Sequence, residues 1–392
     1  MSHPSPDPST AAAGDPLAGL KVAVVHEWLE GFYGSEQVVA RILELFPQAD
    51  LHVLADVMPE AARGWLGGRV VRTSLIQGLP FARRRFRLWL PLMPLAVESL
   101  DLSGYDLVLS SSHAFAKGVI TGPDQLHVAY VHAPMRWAWE YQHEYLRGAG
   151  LERGLRGLAA RWLLHRLRQW DAESAQRPDV LIANSGFIKA RIGKLWRRDA
   201  AVLHPPVRQD DLSAAPTRGG HYLAVGRFVP YKRMERIVRA FAQMPDRRLV
   251  AIGDGPLRQG LVAPANVTLR DPLPRAALAR ELAGARALVF AAVEDFGITP
   301  VEALASGTPV IALGKGGVLD TVEDGVTGVL FDDPSPAGIA RAIARFETLE
   351  AGLDRAAMIE RARAFTPERF RAGYRRLVEA AWLCGPGSSR PR

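Results

Sequence analysis

The chain has a single cysteine, Cys384, which excludes an intramolecular disulfide and fits a reducing compartment. It has no apolar run long enough to span a bilayer; the nearest, Leu88–Val97, is short and interrupted by Pro91 and Pro94. Residues 1–20 lack a basic start followed by an apolar core. Their Pro, Ser, Ala and Asp content reads as a disordered tail, as do residues 385–392. There is no tandem repeat and no nucleic-acid-binding module. Lysine is scarce and arginine abundant, and the net charge of +8 points to an anionic partner: nucleic acid, an anionic lipid surface or a phosphate-bearing substrate.

What is present is an ordinary globular composition, 48% hydrophobic and 23% charged, over 392 residues. That length suits two domains with their own cores. Short apolar strands alternate with helical stretches through two similar halves, an α/β pattern. Pro205 and Pro206 mark the linker between the halves.

The stretch Glu294-Asp-Phe-Gly-Ile-Thr-Pro-Val-Glu302 through Pro309 organises the second half. A continuous apolar run, Ala287–Val293, reads as a buried parallel strand. Gly297 permits a sharp turn, Thr299 is placed as an N-cap, Pro300 as the first helical residue and Glu302 as the third. Gly307 and Pro309 end the helix. Two carboxylates then flank a helix N-terminus at the carboxyl edge of a parallel sheet, where open α/β sheets bind ligands. Taken alone, Glu302 reads equally as the second half of a Thr-x-x-Glu capping box.

Further polar residues are expected at the same kind of edge. In the second half, Gly226-Arg227 follows a strand and Lys232 begins the next helix. In the first, Gly31-Phe-Tyr-Gly34-Ser35 is a strand–glycine–helix turn, His113 and Lys117 follow one strand, and His132 and Arg136 follow its neighbour. A lone histidine at such a position is usually structural, and a lone arginine or lysine is usually surface charge. Two segments are strongly basic. Phe81–Val97 interleaves Arg83, Arg84, Arg85 and Arg87 with apolar groups, as a membrane-surface segment or as a core helix with a solvated arginine face. Leu151–Asp171 reads as a long amphipathic helix carrying Arg153, Arg156, Arg161, Arg166 and Arg168.

The frame EDFGITPVEALASGTPVI, with its Glu-x7-Glu, resembles the signature of retaining glycosyltransferases of the GT-B fold, family 4 (group 1), and the likeness runs from Lys21 to Trp382. The run Ala133-Pro-Met-Arg-Trp-Ala-Trp139 is similar to a mannosyltransferase-like subgroup acting on lipid-linked saccharides. The resemblance implies two Rossmann-like domains facing across a cleft. It places an N-terminal acceptor-side domain at 21–206, a nucleotide-sugar-binding domain at 207–366 and a helix at 367–384 crossing back to the first domain. It implies Glu294, His113, Arg227 and Lys232 as catalytic residues. Donor binding would involve Gly34, Gly226, Arg227, Lys232, Asp254, Glu294, Phe296, Gly297, Ile298, Thr299 and Glu302, with His132, Arg136 and Lys117 on the acceptor side. Gly34 is followed by Ser35 where many members have a second glycine. Gly314, Gly316 and Gly317 are candidates to crowd the sugar or phosphate.

The implied activity is metal-independent transfer of a hexose, mannose from GDP-mannose, to a polyprenyl-diphosphate-linked or other glycan acceptor in bacterial surface polysaccharide synthesis. No cofactor is implied and no Asp-x-Asp pair occurs in a plausible turn for a metal; Arg227 and Lys232 would answer the diphosphate charge instead. The implied location is cytoplasmic, at the inner face of the membrane if residues 81–97 dock there, without nucleic acid. Two other classes stay open: a nucleotide-sugar hydrolase or epimerase on the same scaffold, and a non-catalytic sugar-nucleotide-binding protein.

Overall fold

A computed structural model describes residues 15–215 and 218–385. The chain forms two compact units. The first contains residues up to Ile182 together with Ile192–Ala201 and the segment from Arg371 onward; the second contains Ala183–Arg191 and Val202–Phe370.

The first unit is built on β1 (Val22–Leu29), β2 (Asp50–Asp56), β3 (Val71–Thr73), β4 (Leu107–Ser112), β5 (Leu126–Val131), β6 (Val180–Ala183) and β7 (Ala201–Val202). They lie in the order β3-β2-β1-β4-β5-β6-β7. β1 runs parallel to both β2 and β4, and β4 parallel to β5. β1, β4 and β5 are buried along almost their whole length, which is why they read as unbroken apolar runs. The second sheet holds β8 (His221–Val225), β9 (Arg248–Ile252), β10 (Val267–Arg270), β11 (Ala287–Phe290), β12 (Val310–Leu313) and β13 (Gly328–Phe331), in the order β10-β9-β8-β11-β12-β13. Its pairings are parallel. In both sheets the strand order reverses direction between the first strand and the fourth. Neighbouring crossovers there leave to opposite sides, opening a crevice at the carboxyl ends.

Several expectations need correction. Residues 15–20 are not a loose tail: Leu17 is buried and Asp15 pairs with Arg375 at 2.6 Å. The rest of that expected tail, and 386–392, lie outside the described residues. Ala183–Arg191 packs with the second unit because its polar groups find partners there. Gly186 donates to Asp320 at 2.6 Å, Ser185 Oγ to the Asp295 carbonyl at 2.5 Å, and Arg191 pairs with Asp295 at 3.3 Å. The helix Pro367–Cys384 leaves the second unit after Phe370; Arg371 then bonds Glu44 at 2.8 Å and Tyr374 lies on Tyr130 within the first.

Residues 81–97 do not make one amphipathic helix. They break into short turns, Ala82–Arg85, Phe86–Leu92 and Met93–Glu98. Phe86, Met93, Ala96 and Val97 belong to the first unit's core with Val25, Leu54 and Phe115. Arg87 is bound to Glu30. Part of the segment's apolar side is therefore core, while Phe81, Leu88 and Leu95 stay exposed near Arg83, Arg84 and Arg85.

Candidate active site

In the second unit, the loop after β8 runs Gly226-Arg227-Phe228 into a 3-10 turn, Pro230–Lys232. Arg233 then takes a left-handed conformation (φ 54°) before the helix Met234–Phe241 begins. Arg233 donates to the Ala291 carbonyl at 2.8 Å, which ties this loop to the end of β11. The consequence is direct contact between Lys232 Nζ and Glu294 Oε1, each about one-fifth exposed. Gly253 lies so close to the Gly226 carbonyl that a Cβ there would come within 1.9 Å of it. Phe228 N–H donates to the Asp254 carbonyl at 2.6 Å, holding the β8 and β9 loops together. Arg227 and Asp254 both face solvent and approach only to 3.9 Å, so they are loosely paired.

The Glu294–Gly297 loop is braced from one side by Gly316 and Gly317. Gly317 N–H donates to the Glu294 carbonyl at 2.9 Å. A Cβ on Gly317 would lie 2.3 Å from Phe296 Cα, and one on Gly316 2.5 Å from the Glu294 carbonyl. These glycines let the neighbouring backbone approach closely. Phe296 is buried against His204 and Phe365, so its ring supports the loop from beneath and offers no surface to a ligand. Gly297 (φ 95°) precedes the helix Ile298–Ala305, whose start lies two residues earlier than the Thr299 cap predicts. The capping box does not form, because the Glu302 carboxylate is taken by Arg275 instead. Arg275 also clamps Asp211 at 2.9 and 3.0 Å. Burial pushes the Glu302 carboxyl up, against the pull of Arg275. The more open Asp211 is held down at about 2, chiefly by its hydrogen bond from Arg275. Neither Arg275 nor Asp211 stands out in sequence. Their partnership comes from a loop and a helix start that only folding brings together.

The first unit's reversal point is of another kind. Glu27, on β1, is fully buried, and its Oε1 accepts from Ser112 Oγ at 3.0 Å and from four consecutive backbone N–H groups, His113 to Ala116, at 2.8–3.1 Å. A carboxylate thus fills the nest of amides at the end of β4. Burial opposes its ionisation, but nearby His113 and the amides hold its pKa below the usual range. His113 stands at the rim of this nest, edge-on to Trp28 at 4.9 Å. Burial lowers its pKa while Glu27 pulls the other way; Arg136 is near enough to add to the lowering. Burial, then His113 and His26, drives His132 well below the ordinary value, and its Nε2 meets Ser111 Oγ at 2.8 Å. His26 bonds the Ser111 carbonyl through Nδ1 at 3.1 Å, with Glu36 Oε1 3.6 Å from its Nε2. Glu36 also accepts from Tyr33 N–H and Ser35 Oγ, both at 3.0 Å, at the start of the helix Gly34–Leu45. The helix N-terminus expected to serve a phosphate at Gly34 therefore already has a carboxylate beside it.

Lys117 is not an acceptor contact. It is 1% exposed, bonded to Asp171 at 2.7 Å and to the Ala114 carbonyl at 2.8 Å, between Trp170 and Trp196. Trp139 and Trp196 donate to the same Asp171 at 2.8 and 2.9 Å. The 113–117 loop is thus fixed through its amides by Glu27 and through a carbonyl by Lys117. The signal for Glu27 was an acid inside an apolar strand, a residue type almost never buried without partners. Among the described residues, no group of three or more His, Cys, Asp or Glu is placed to hold a metal ion, and no helix is long and apolar enough to cross a membrane.

Residues 211–365, which contain Asp211, Arg227, Lys232, Arg275, Glu294 and Glu302, match the sequence family Glycosyl transferases group 1. The matched residues lie within the second unit. The chain is 32% identical over 236 residues to D-inositol 3-phosphate glycosyltransferase of Mycobacterium leprae, a match covering 51% of this chain and 55% of that one. It is 30% identical over 241 residues to the protein of that name from a Nocardioides species, covering 50% and 53%. The chain spans about half the length of the curated relatives it matches. Among solved structures, HepE of Anabaena, determined with UDP and glucose, aligns over 92% of this chain and all of that one, with TM-score 0.66 and 18% identity. Sucrose-phosphate synthase of Thermosynechococcus elongatus aligns over 93% and 100%, with TM-score 0.69 and 16% identity. These likenesses show the fold, two Rossmann-like units of the GT-B type.

Proposed function

We propose that this protein is a retaining, metal-independent hexosyltransferase that takes a nucleotide sugar, with GDP-mannose the favoured donor, and glycosylates a lipid-linked saccharide in bacterial surface polysaccharide synthesis. The observation that carries the transferase reading is the contact of Lys232 with Glu294 at the reversal point of the second unit. As a glycosidic bond to a diphosphate breaks, negative charge grows on the β-phosphate. Fixed cations aimed at that oxygen lower the barrier, each well-placed donor contributing on the order of 10²–10³ in rate. Lys232 and Arg227 fill this role, aided by the N-terminus of the helix Ile298–Ala305. Glu294 holds the lysine in place and, beside it, offers an acceptor to the sugar hydroxyls. Glu302, anchored by Arg275, is assigned to the ribose hydroxyls. His113 is assigned to the transferred sugar, with His132 and Arg136 on the acceptor side. Loss of activity in excess EDTA would refute metal independence, and an inverted anomer by NMR would refute retention.

The deciding experiment is a thermal-shift panel of GDP- and UDP-sugars on wild type, Lys232→Ala and Glu294→Ala, followed by turnover with and without a lipid-linked acceptor. Selective stabilisation of wild type by one donor, lost in Lys232→Ala, supports the reading. Donor cleavage at full rate without any acceptor would favour the hydrolase. The names of the curated relatives favour a second acceptor class, an inositol phosphate, which belongs in the same turnover assay.

A further inference from the structure

The helix Gly154–Ser174 turns Gly157, Leu167, Asp171 and Ser174 inward. Its opposite side is unusual. Leu155, Leu158 and Trp162 follow one another at the spacing of a single helical stripe and are 85%, 65% and 65% exposed. His165 and Arg166 continue the same exposed stripe. A helix lying on a soluble protein normally carries polar residues there. The charges around this stripe are of one sign: from Arg153 to Trp170 there are five arginines, 153, 156, 161, 166 and 168, and no acid. Arg161 and Arg168 are tied back to backbone carbonyls of Gly157 and Ala138, while Arg153, Arg156 and Arg166 are exposed.

We propose that this face docks on an anionic lipid surface. Exposed leucines and a tryptophan on one stripe, flanked by arginines and free of acids, are what an interfacial helix uses. The apolar groups enter the headgroup boundary and the cations meet lipid phosphates. A second copy of the chain is the less suitable occupant, because pairing two such faces sets arginine against arginine. The surface is distinct from residues 81–97, which expose Phe81, Leu88 and Leu95 but place Phe86, Met93, Ala96 and Val97 in the core. The inference does not depend on the transfer reading, since binding is measured with neither donor nor acceptor.

The test is co-sedimentation of the whole chain with phosphatidylcholine vesicles, with and without about one-third phosphatidylglycerol. Wild type is expected in the pellet only with the anionic vesicles, and release by salt is expected. Leu155→Ser/Leu158→Ser/Trp162→Ser should weaken binding more than about tenfold, and Arg156→Gln/Arg166→Gln roughly tenfold. Neutralising Arg83, Arg84 and Arg85 should leave it unchanged. All substituted positions are exposed, and Trp162→Ser alone serves if the triple variant melts early. Wild type that stays in the supernatant, or a triple variant that binds as well as wild type, would overturn the proposal. So would a concentration-dependent dimer in sedimentation that the triple variant abolishes, since the stripe would then be a contact between copies.

Discussion

The two reversal points solve the same topological problem with opposite economies. In the first unit, the charged groups are buried and already satisfied: Glu27 is saturated by amides and Lys117 by Asp171 and a carbonyl. In the second, Lys232 and Glu294 meet at a partly exposed contact, and Arg227 and Asp254 stand in solvent. A buried charge that has its partners fixes a loop. A half-exposed pair can exchange its partner for a ligand at little cost. The first set of charges therefore fixes its loop, and the second is left partly open.

This contrast breaks most readily at Glu27. Glu27→Ala strands four buried amides and should cost on the order of 3–5 kcal/mol in urea unfolding. Little change in the midpoint would mean the nest is not a structural device. Next in size is catalysis: Lys232→Ala should lower kcat by roughly 10²–10³ while its unfolding free energy shifts by less than about 1 kcal/mol. A large stability loss with activity retained would reverse the assignment of the two sites. Gly317→Ala should destabilise by about 1–3 kcal/mol and weaken donor binding, because the Cβ forces the 294–296 loop to move; calorimetry with donor reads both. The smallest effect concerns pH. Asp211 has its pKa held down at about 2 in the folded protein against an ordinary 3.8. Its pairing with Arg275 contributes stability above the ordinary value, lost as pH falls through about 2. Arg275→Met should flatten that part of an acid-unfolding curve.

Much of the second site was legible because its residues lie close in sequence to strand ends. Arg227 and Lys232 follow β8, and Glu294 follows β11, so the parallel sheet alone brings them to one edge. Glu302 was legible as a residue but not in its partner: the capping geometry was local and plausible, yet Arg275, 27 positions away, won the carboxylate. Gly316 and Gly317 looked like ligand-facing glycines because sequence cannot distinguish close approach of a ligand from close approach of a neighbouring loop. Lys117 was misplaced for the same reason. A cation after a strand reads as surface charge until the structure shows Asp171 and three tryptophans gathered around it. The basic segments were both visible, but which of their apolar residues enter the core depended on packing.

The sequence by itself determined the alternation of buried strands and helices, the two halves, and the edge at which polar residues collect, since periodicity and strand ends are local properties. Only the tertiary structure decided which of those polar residues are consumed as internal partners and which stay open. That choice depends on burial and on donors and acceptors distant along the chain. A carboxylate in a nest and a carboxylate beside a half-exposed lysine are the same residue type until the surrounding backbone is in place.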